Sequence, residues 1–470
     1  MDPDWHFQEM GASILSYSEY LLRRDHSPFT EILMKTTSGA FVLLSLVSCS
    51  LFAQRLQVRL VSSAYAWERQ DTIGVSSRHL FGYQTVQLSL AGKDVAFYSY
   101  VQGFNDFTGP VKNDPLVRLY NFYLRWSNIA NVADLSVGRQ AVYAGAGNGT
   151  LDGGIATIKL FDTRLKMVGY YGLLPAPRQK AELIGDKKNN FMTGAQLTVS
   201  PVEFAQFSMS YMKKNIKPET YVGLRRDSLF NPYPVEIKPS ATAEEYLSGD
   251  ASLDYGGWVT GYARYDYDVL LEKMSRVQLF ARVKPFESFA IKALQPLGLT
   301  AEYVQREPRL QFNSIFTAFA YNTLKEYEVG GEYAITPVWQ VFAKYGSVSY
   351  GDEDSKRVTV GVNGSHVSAS LTRNVGHAGE LSAASASFGY PVFEKKLMAT
   401  LMASYAQYRL SESSSKLTDA LSVGLGLVFR PIPVLSLDAQ GQWIQNKIYK
   451  NDMRLFVRAS YLFSQQLGLF

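Results

Sequence analysis

Beyond residue 53 the chain carries three histidines, His79, His366 and His377, and no cysteine. None of the three has a His or Cys neighbour at the spacing a zinc site needs, so neither a metal nor any other cofactor is expected. His366 shares a stretch with Ser368 and Ser370, but two-residue spacing only places them on one strand face. The segment ALSVG at 420–424 lacks the first glycine of a nucleophile elbow. The run GAGNGTLDGG at 145–154 follows no dinucleotide-binding strand and opens no helix, so a flexible loop is expected there rather than a phosphate cradle. There is no C-x-x-C-H for haem attachment. These residue types do not assemble an enzyme.

The residues that remain are charges recurring at every second position. In RVQLFARVK, Arg276, Gln278, Arg282 and Lys284 fall on one face, with Val277, Leu279, Ala281 and Val283 on the other. GYARYDYDV sets Tyr262, Arg264, Asp266 and Asp268 against Ala263, Tyr265, Tyr267 and Val269. EYEVGGEY sets Glu326, Glu328 and Glu332 against Tyr327, Val329 and Tyr333, and RLFVRASYLF opposes Arg454 and Arg458 to Leu455, Val457 and Phe463. Alternation of this kind means strands with one apolar and one polar face, and no window shows a helical stripe.

Alternating segments recur from Arg55 to Phe463 without a domain break. The whole chain holds 30 Tyr and 27 Phe against 19% charged residues, an unusual balance for a soluble domain. Trp126, Tyr143, Tyr211, Trp258, Tyr350, Tyr390 and Trp443 fall near strand ends, where an interfacial aromatic belt places them. With no apolar run long enough for a spanning helix, the expected fold is all-β, a single transmembrane antiparallel barrel. Ten short turns, AGKD, SNIANV, FDTR, SPVE, YGGW, FESFAIKALQP, TPVW, NGSH, YPVFEKK and RPIP, are placed on the periplasmic side. With both termini on that side they give 22 strands, and a range of 18 to 22 follows if some pairs belong to loops.

MKTTSGAFVLLSLVSCSLFAQ, residues 34–54, has the lysine, apolar core and small-residue end of a secretory leader. Residues 1–33 are therefore read as a mis-assigned upstream extension, 34–53 as a signal peptide and 54–470 as the barrel. Residues 1–53 hold three of the 47 bases and six of the 42 acids, leaving 44 and 36, a net charge of +8. The bases are spread singly over strands, which does not suggest nucleic acid. The chain ends in Phe470, as many outer-membrane proteins do.

Taking the polar faces as the lumen gives the candidate pore lining: Arg125, Arg264, Asp266, Arg276, Arg282, Lys284, Glu302, Glu328, Glu332, Lys344, Arg454 and Arg458, joined by Arg55, Arg59, Asp268, Glu326, Arg357 and Asp438. Arg282 and Glu302 are expected to pair across strands. The excess of bases points weakly to anionic solutes. Residues 214–244 form the longest non-alternating stretch, either a surface loop or an inward constriction carrying Arg225 and Arg226. A second such stretch runs from Arg306 to Lys325. The alanine- and leucine-rich faces of ELSAASASFGY and KLMATLMASY are candidates for a homo-trimer contact or for plain lipid-facing surface.

RLYNFYLRWSNIANVADLSVGRQAVYAGAGNGTLDGG, residues 118–154, is a strand, a turn, a strand ending Gly138-Arg139-Gln140 and a glycine-rich stretch. It resembles the alginate-export type of outer-membrane porin. The resemblance implies an arginine-lined barrel that passes anionic polysaccharide or small anions. Strict alternation puts Arg139 with Leu135 and Val137 on the lipid side, where a charge costs about 2–4 kcal/mol at midplane. A bulge near Gly138 that turns it inward, or a place at the rim, is therefore expected. The reading is an outer-membrane channel for passive diffusion of small hydrophilic solutes with a weak anion preference. Its rivals are export of an acidic polysaccharide and a structural sleeve for a partner protein.

Overall fold

In lipid every backbone N–H and C=O needs a partner within the protein, so a β-protein can cross only as a sheet without edges. The computed structural model describes residues 55–72, 75–109, 116–226, 228, 231–286, 291–309, 322–376, 379–393, 396–409, 417–447 and 451–467. Residues 1–54, His377 and Phe470 lie outside the described residues. Twenty-two strands form one antiparallel sheet. It closes because strand Arg55–Thr72 pairs with its successor Val75–Ala91 and also with the last strand, Asp452–Gln466. Arg55 lies opposite Gln466, so both ends of the barrel sequence stand at one rim. Strands flanking each of the ten expected turns pair with one another, and the count of 22 holds. Among the described residues no helix is long enough and apolar enough to cross a membrane; the chain crosses with strands.

Side-chain polarity assigns the two faces. Leu279, Val329, Leu371, Leu401 and Leu455 belong to the apolar set of their strands and stand exposed on the outer wall. Opposite faces of the same strands carry the charges. At the inner wall of the first four strands aromatic rings pack side by side. Trp67 stacks on Tyr65 at 4.6 Å and on Phe81 at 4.8 Å, and Tyr98 stacks on Tyr123 at 5.0 Å. The first of these stacks runs along one strand, and the other two cross between strands and stabilise the sheet. Trp126, Tyr211, Trp258 and Tyr390 are exposed on the outer wall, as belt residues are.

Val329 sits at the middle of strand Leu324–Ala334 and is 55% exposed. Val329→Arg is expected to destabilise the barrel by about 2–4 kcal/mol, read from urea-dependent folding into phospholipid vesicles. A cost near zero means the face does not meet hydrocarbon.

Candidate functional site: the lumen and its inward hairpin

Strand Ala133–Ala144 pairs with Val117–Ile129 only as far as Arg139 opposite Phe122. Its other neighbour, Gly147–Leu160, pairs with Leu165–Leu173 only as far as Asp152 opposite Leu173. Between those points residues 140–151 pair only with each other, Ala144 opposite Gly147. The hairpin has left the wall. The glycine-rich run expected as a flexible loop is instead half of this hairpin.

Two glycines opposite each other, Gly138 and Gly153, mark the point of departure. Gly138 adopts φ +130°, and a Cβ there would meet the Phe122 carbonyl oxygen at 2.2 Å. A Cβ on Gly153 would meet the Tyr171 carbonyl oxygen at 2.2 Å. Only glycine permits this backbone and this approach. No bulge is present at Gly138: the register with both neighbours runs through it unbroken.

The hairpin folds inward across three wall strands. Val142, Ala144 and Leu151 pack on Tyr170, Met192 and Met212, which belong to the inner faces of Leu165–Leu173, Phe191–Val202 and Ala205–Ile216. Leu151 is fully buried, worth about 1.5–3 kcal/mol. At the tip, Ala146 N donates to Ser210 Oγ at 2.8 Å. Arg264 Nη2, from strand Val259–Asp268 beyond them, donates to the Gly145 carbonyl at 3.4 Å. A Cβ on Gly147 would lie 2.0 Å from the Tyr170 hydroxyl, so the ring fits only beneath a glycine. Tyr143 is on the other face, 83% exposed to the lumen, rather than in the aromatic belt expected for it.

Arg139 repairs the wall that the hairpin left. It is 5% exposed and holds Asp152 in a two-pronged ion pair, 2.6 and 2.7 Å. Its Nη1 donates to the Leu119 carbonyl at 3.1 Å, an acceptor that the departing strand no longer serves. The same guanidinium donates to the carbonyls of Lys180 at 2.6 Å and Glu182 at 3.0 Å. Those residues belong to the strip 174–190, which spans the gap and lies against Val117–Ile129 through its turn at Pro177–Gln179. Arg139 therefore keeps the outward register that alternation gave it and is roofed by the strip. Gln140 is buried beside it and donates to the Gly153 carbonyl at 3.4 Å. Lys217 holds the far end of the strip through Asp186 at 2.7 Å. Lys217, with Asn189, keeps the Asp186 carboxyl below its ordinary value, so the tie persists at neutral pH and is lost as pH falls through that lowered value.

The remaining sequence candidates lie on the inner wall, largely in ion pairs. Arg264 donates to both oxygens of Asp266 at 2.9 and 3.0 Å, and Ser248 also donates to Asp266. Arg458 meets Asp438 at 2.7 Å, and Arg454 meets the fully buried Asp452 at 2.8 Å. Arg125 shares Asp134 with Lys159 near the turn rim. Lys344 binds Glu328 at 2.8 Å, and Arg357 reaches both Glu326 and Glu328, each at 2.8 Å. Arg276 donates to Gln278, whose amide donates to Glu302 at 2.8 Å. The expected Arg282–Glu302 pair is replaced by Arg282–Glu332, two strands apart, at 2.7 Å. Only Thr300 and Gly298 stand between them on that face, and a Cβ on Gly298 would meet the Glu332 carboxylate at 2.8 Å. Lys284 closes the strand beside Trp258, its N donating to the Trp258 carbonyl at 2.8 Å.

Arg225 and Arg226 are exposed on a separate hairpin, Tyr221–Arg226 with Pro232–Ile237, that pairs with no barrel strand. Among the described residues the inward element is 140–151. Asp268, at the loop rim, accepts from Arg309 at 2.8 Å, which fixes the described start of the Arg306–Lys325 stretch; residues 310–321 lie outside the described residues. His366 meets the Gly389 carbonyl at 3.0 Å, while Ser368 and Ser370 bond Ser387 and Ser385, so the three do not converge.

The chain matches no protein-family model and no curated protein. The alginate-export resemblance gains no support from that quarter. Among solved structures it is similar to the P pilus usher (PapC) translocation pore, with 8% identity over 87% of this chain and 99% of that chain and a TM-score of 0.43. Acinetobacter baumannii OccAB4 gives 8% identity over 88% and 100%, with a TM-score of 0.42. Pseudomonas aeruginosa OpdK with vanillate gives 8%, 88%, 100% and 0.40. Values this low carry no argument about function. A closed barrel with an apolar outer wall and a polar inner one is the architecture of an outer-membrane protein.

Arg139→Ala is expected to destabilise the barrel by about 3–5 kcal/mol, since it strands the buried Asp152 carboxylate; unfolding in detergent monitored by Trp fluorescence reads the loss. Gly147→Val is expected to lift the hairpin from Tyr170 and enlarge single-channel conductance while the barrel stays heat-modifiable on gels. Unchanged conductance in that variant contradicts the packing described.

Proposed function

We propose that this barrel is an outer-membrane channel for passive diffusion of small hydrophilic solutes, narrowed by the hairpin 140–151 and weakly selective for anions. The observation that carries the reading is the hairpin itself. A lumen of 22 strands is too wide to select without something in it, and here one wall segment folds in, leaving Tyr143 facing the opening. Selectivity follows the charge along the path. Arg125 and Lys159 share one carboxylate, and Arg59 donates to Ser460 at 3.2 Å, which tilts the balance towards anions. The tilt is slight, because Arg357 engages two carboxylates.

Export of an acidic polysaccharide calls for a continuous run of uncompensated arginines. The pairs Arg264–Asp266, Arg282–Glu332, Arg454–Asp452 and Arg458–Asp438 argue for small solutes instead.

Planar-bilayer recording of the protein purified from outer membranes tests the proposal. Stable unitary currents are expected, with a reversal potential under a salt gradient displaced modestly to the anion side. A folded protein that never conducts removes the channel reading, and a cation-side reversal removes the stated selectivity.

A further inference from the structure

On the inner wall away from the hairpin lies a recess of about 400 Å³. Around it, glycines at lumen-facing positions let neighbouring side chains lie over the strands, as Glu332 does over Gly298 and Phe342 over Gly361. Gly298, Gly330, Gly346 and Gly361 alternate with Thr300, Glu332, Lys344 and Thr359 on neighbouring strands. Two phenylalanines line it, Phe280 and Phe342. A Cβ on Gly361 would lie 2.5 Å from the Phe342 ring, so that ring reaches over the neighbouring strand only because glycine stands there. Both phenylalanines are half-buried, so part of each ring stays accessible from the recess. Among the described residues, neither Phe280 nor Phe342 stacks on another aromatic ring, unlike the side-by-side rings of the first four strands.

Polar groups surround these rings, and most of their charges are already engaged. Arg282 is bound to Glu332, and Gln340 donates to the other oxygen of that carboxylate at 2.9 Å. Lys344 is bound to Glu328, and Glu302 accepts from Gln278. Two cations and three carboxylates line one recess, which opposes the mild excess of bases elsewhere in the lumen. An anion entering here meets that carboxylate excess, and a cation must compete with Arg282 and Lys344 for Glu332 and Glu328 or displace the Gln278 amide at Glu302. An uncharged ring bearing hydroxyls need break none: carboxylate lone pairs and amide N–H groups take its hydroxyls, and the phenyl face covers its C–H face. Convergent polar groups fix the orientation of a bound small molecule, and the two rings supply its apolar contact.

From this geometry we infer that the recess at Phe280 and Phe342 is a binding site for the ring of a neutral saccharide. The inference rests on the channel reading for access through the lumen, but binding is measurable without conduction. The test is saturation-transfer NMR of methyl β-D-glucopyranoside with the full barrel in detergent micelles, competed with sodium glucuronate and sodium benzoate. Saturable transfer to the glucoside ring protons is expected. It should weaken about tenfold in Phe280→Ala/Phe342→Ala, a difference of roughly 1.4 kcal/mol, and be kept in large part in Phe280→Tyr/Phe342→Tyr. Heat-modifiable gel mobility establishes that each variant is folded; if the alanine pair does not fold, Phe342→Leu is compared with Phe342→Tyr instead. Glucoside transfer that is absent, that survives loss of the ring, or that is displaced more strongly by either anion than by unlabelled glucoside overturns the inference. A protein that binds the glucoside but passes no current refutes the channel reading and leaves this site standing.

Discussion

Closure of the hydrogen-bonded wall is the constraint on which the rest of the barrel depends. A strand that leaves a membrane barrel exposes the carbonyls and N–H groups of both former neighbours, each costing several kcal/mol if nothing takes its place. The hairpin 140–151 leaves, and the damage is contained by one arginine and one strip of chain. Arg139 takes the stranded Leu119 carbonyl, neutralises Asp152 across the root of the hairpin and holds two carbonyls of the covering strip. A lysine could not do this. Four separate acceptors around one buried cation call for the planar fork of a guanidinium. The charge that seemed misplaced among lipid-facing residues is the clasp that allows the lumen to be narrowed from within the wall.

Function follows from the same trade. A separate plug domain would need its own core, whereas a hairpin borrowed from the wall packs three apolar side chains on the inner-wall patch of Tyr170, Met192 and Met212. Its grip is local: one glycine under which Tyr170 fits, one backbone bond to Ser210 and one long contact from Arg264. Elsewhere the inner wall is tiled with ion pairs, several of which skip a strand where glycine or threonine leaves room. That tiling gives a wettable surface with little net charge. The recess at Phe280 and Phe342 is where the tiling is interrupted by two aromatic rings.

Much of the architecture was legible in the sequence because a period of two has only one meaning for a chain this rich in aromatics. All ten turns were found from their local residues, and the strand number follows from them. The inner and outer faces were legible for the same reason. The hairpin was not, because glycines at Gly145, Gly147, Gly149, Gly153 and Gly154 erase the side chains from which alternation is read. The partners that hold it, such as Ser210, are remote in sequence. Alternation alone put Arg139 among lipid-facing residues, which led to the expectation of a bulge or a rim position; the roof over it could not be foreseen, since the strip 174–190 has no periodicity. Arg282 was assigned to a neighbouring strand because register names only neighbours, and the reach across Gly298 is a property of missing side chains.

The central claim, that residues 140–151 lie folded against the inner wall, is tested most directly by a disulfide between Ala146→Cys and Ser210→Cys. The account predicts that oxidation of the purified barrel closes this bond quantitatively, seen as a reductant-sensitive gel shift, and that closing it leaves single-channel conductance unchanged. A bond that does not form in the folded barrel, or one whose closure changes the conductance, contradicts it.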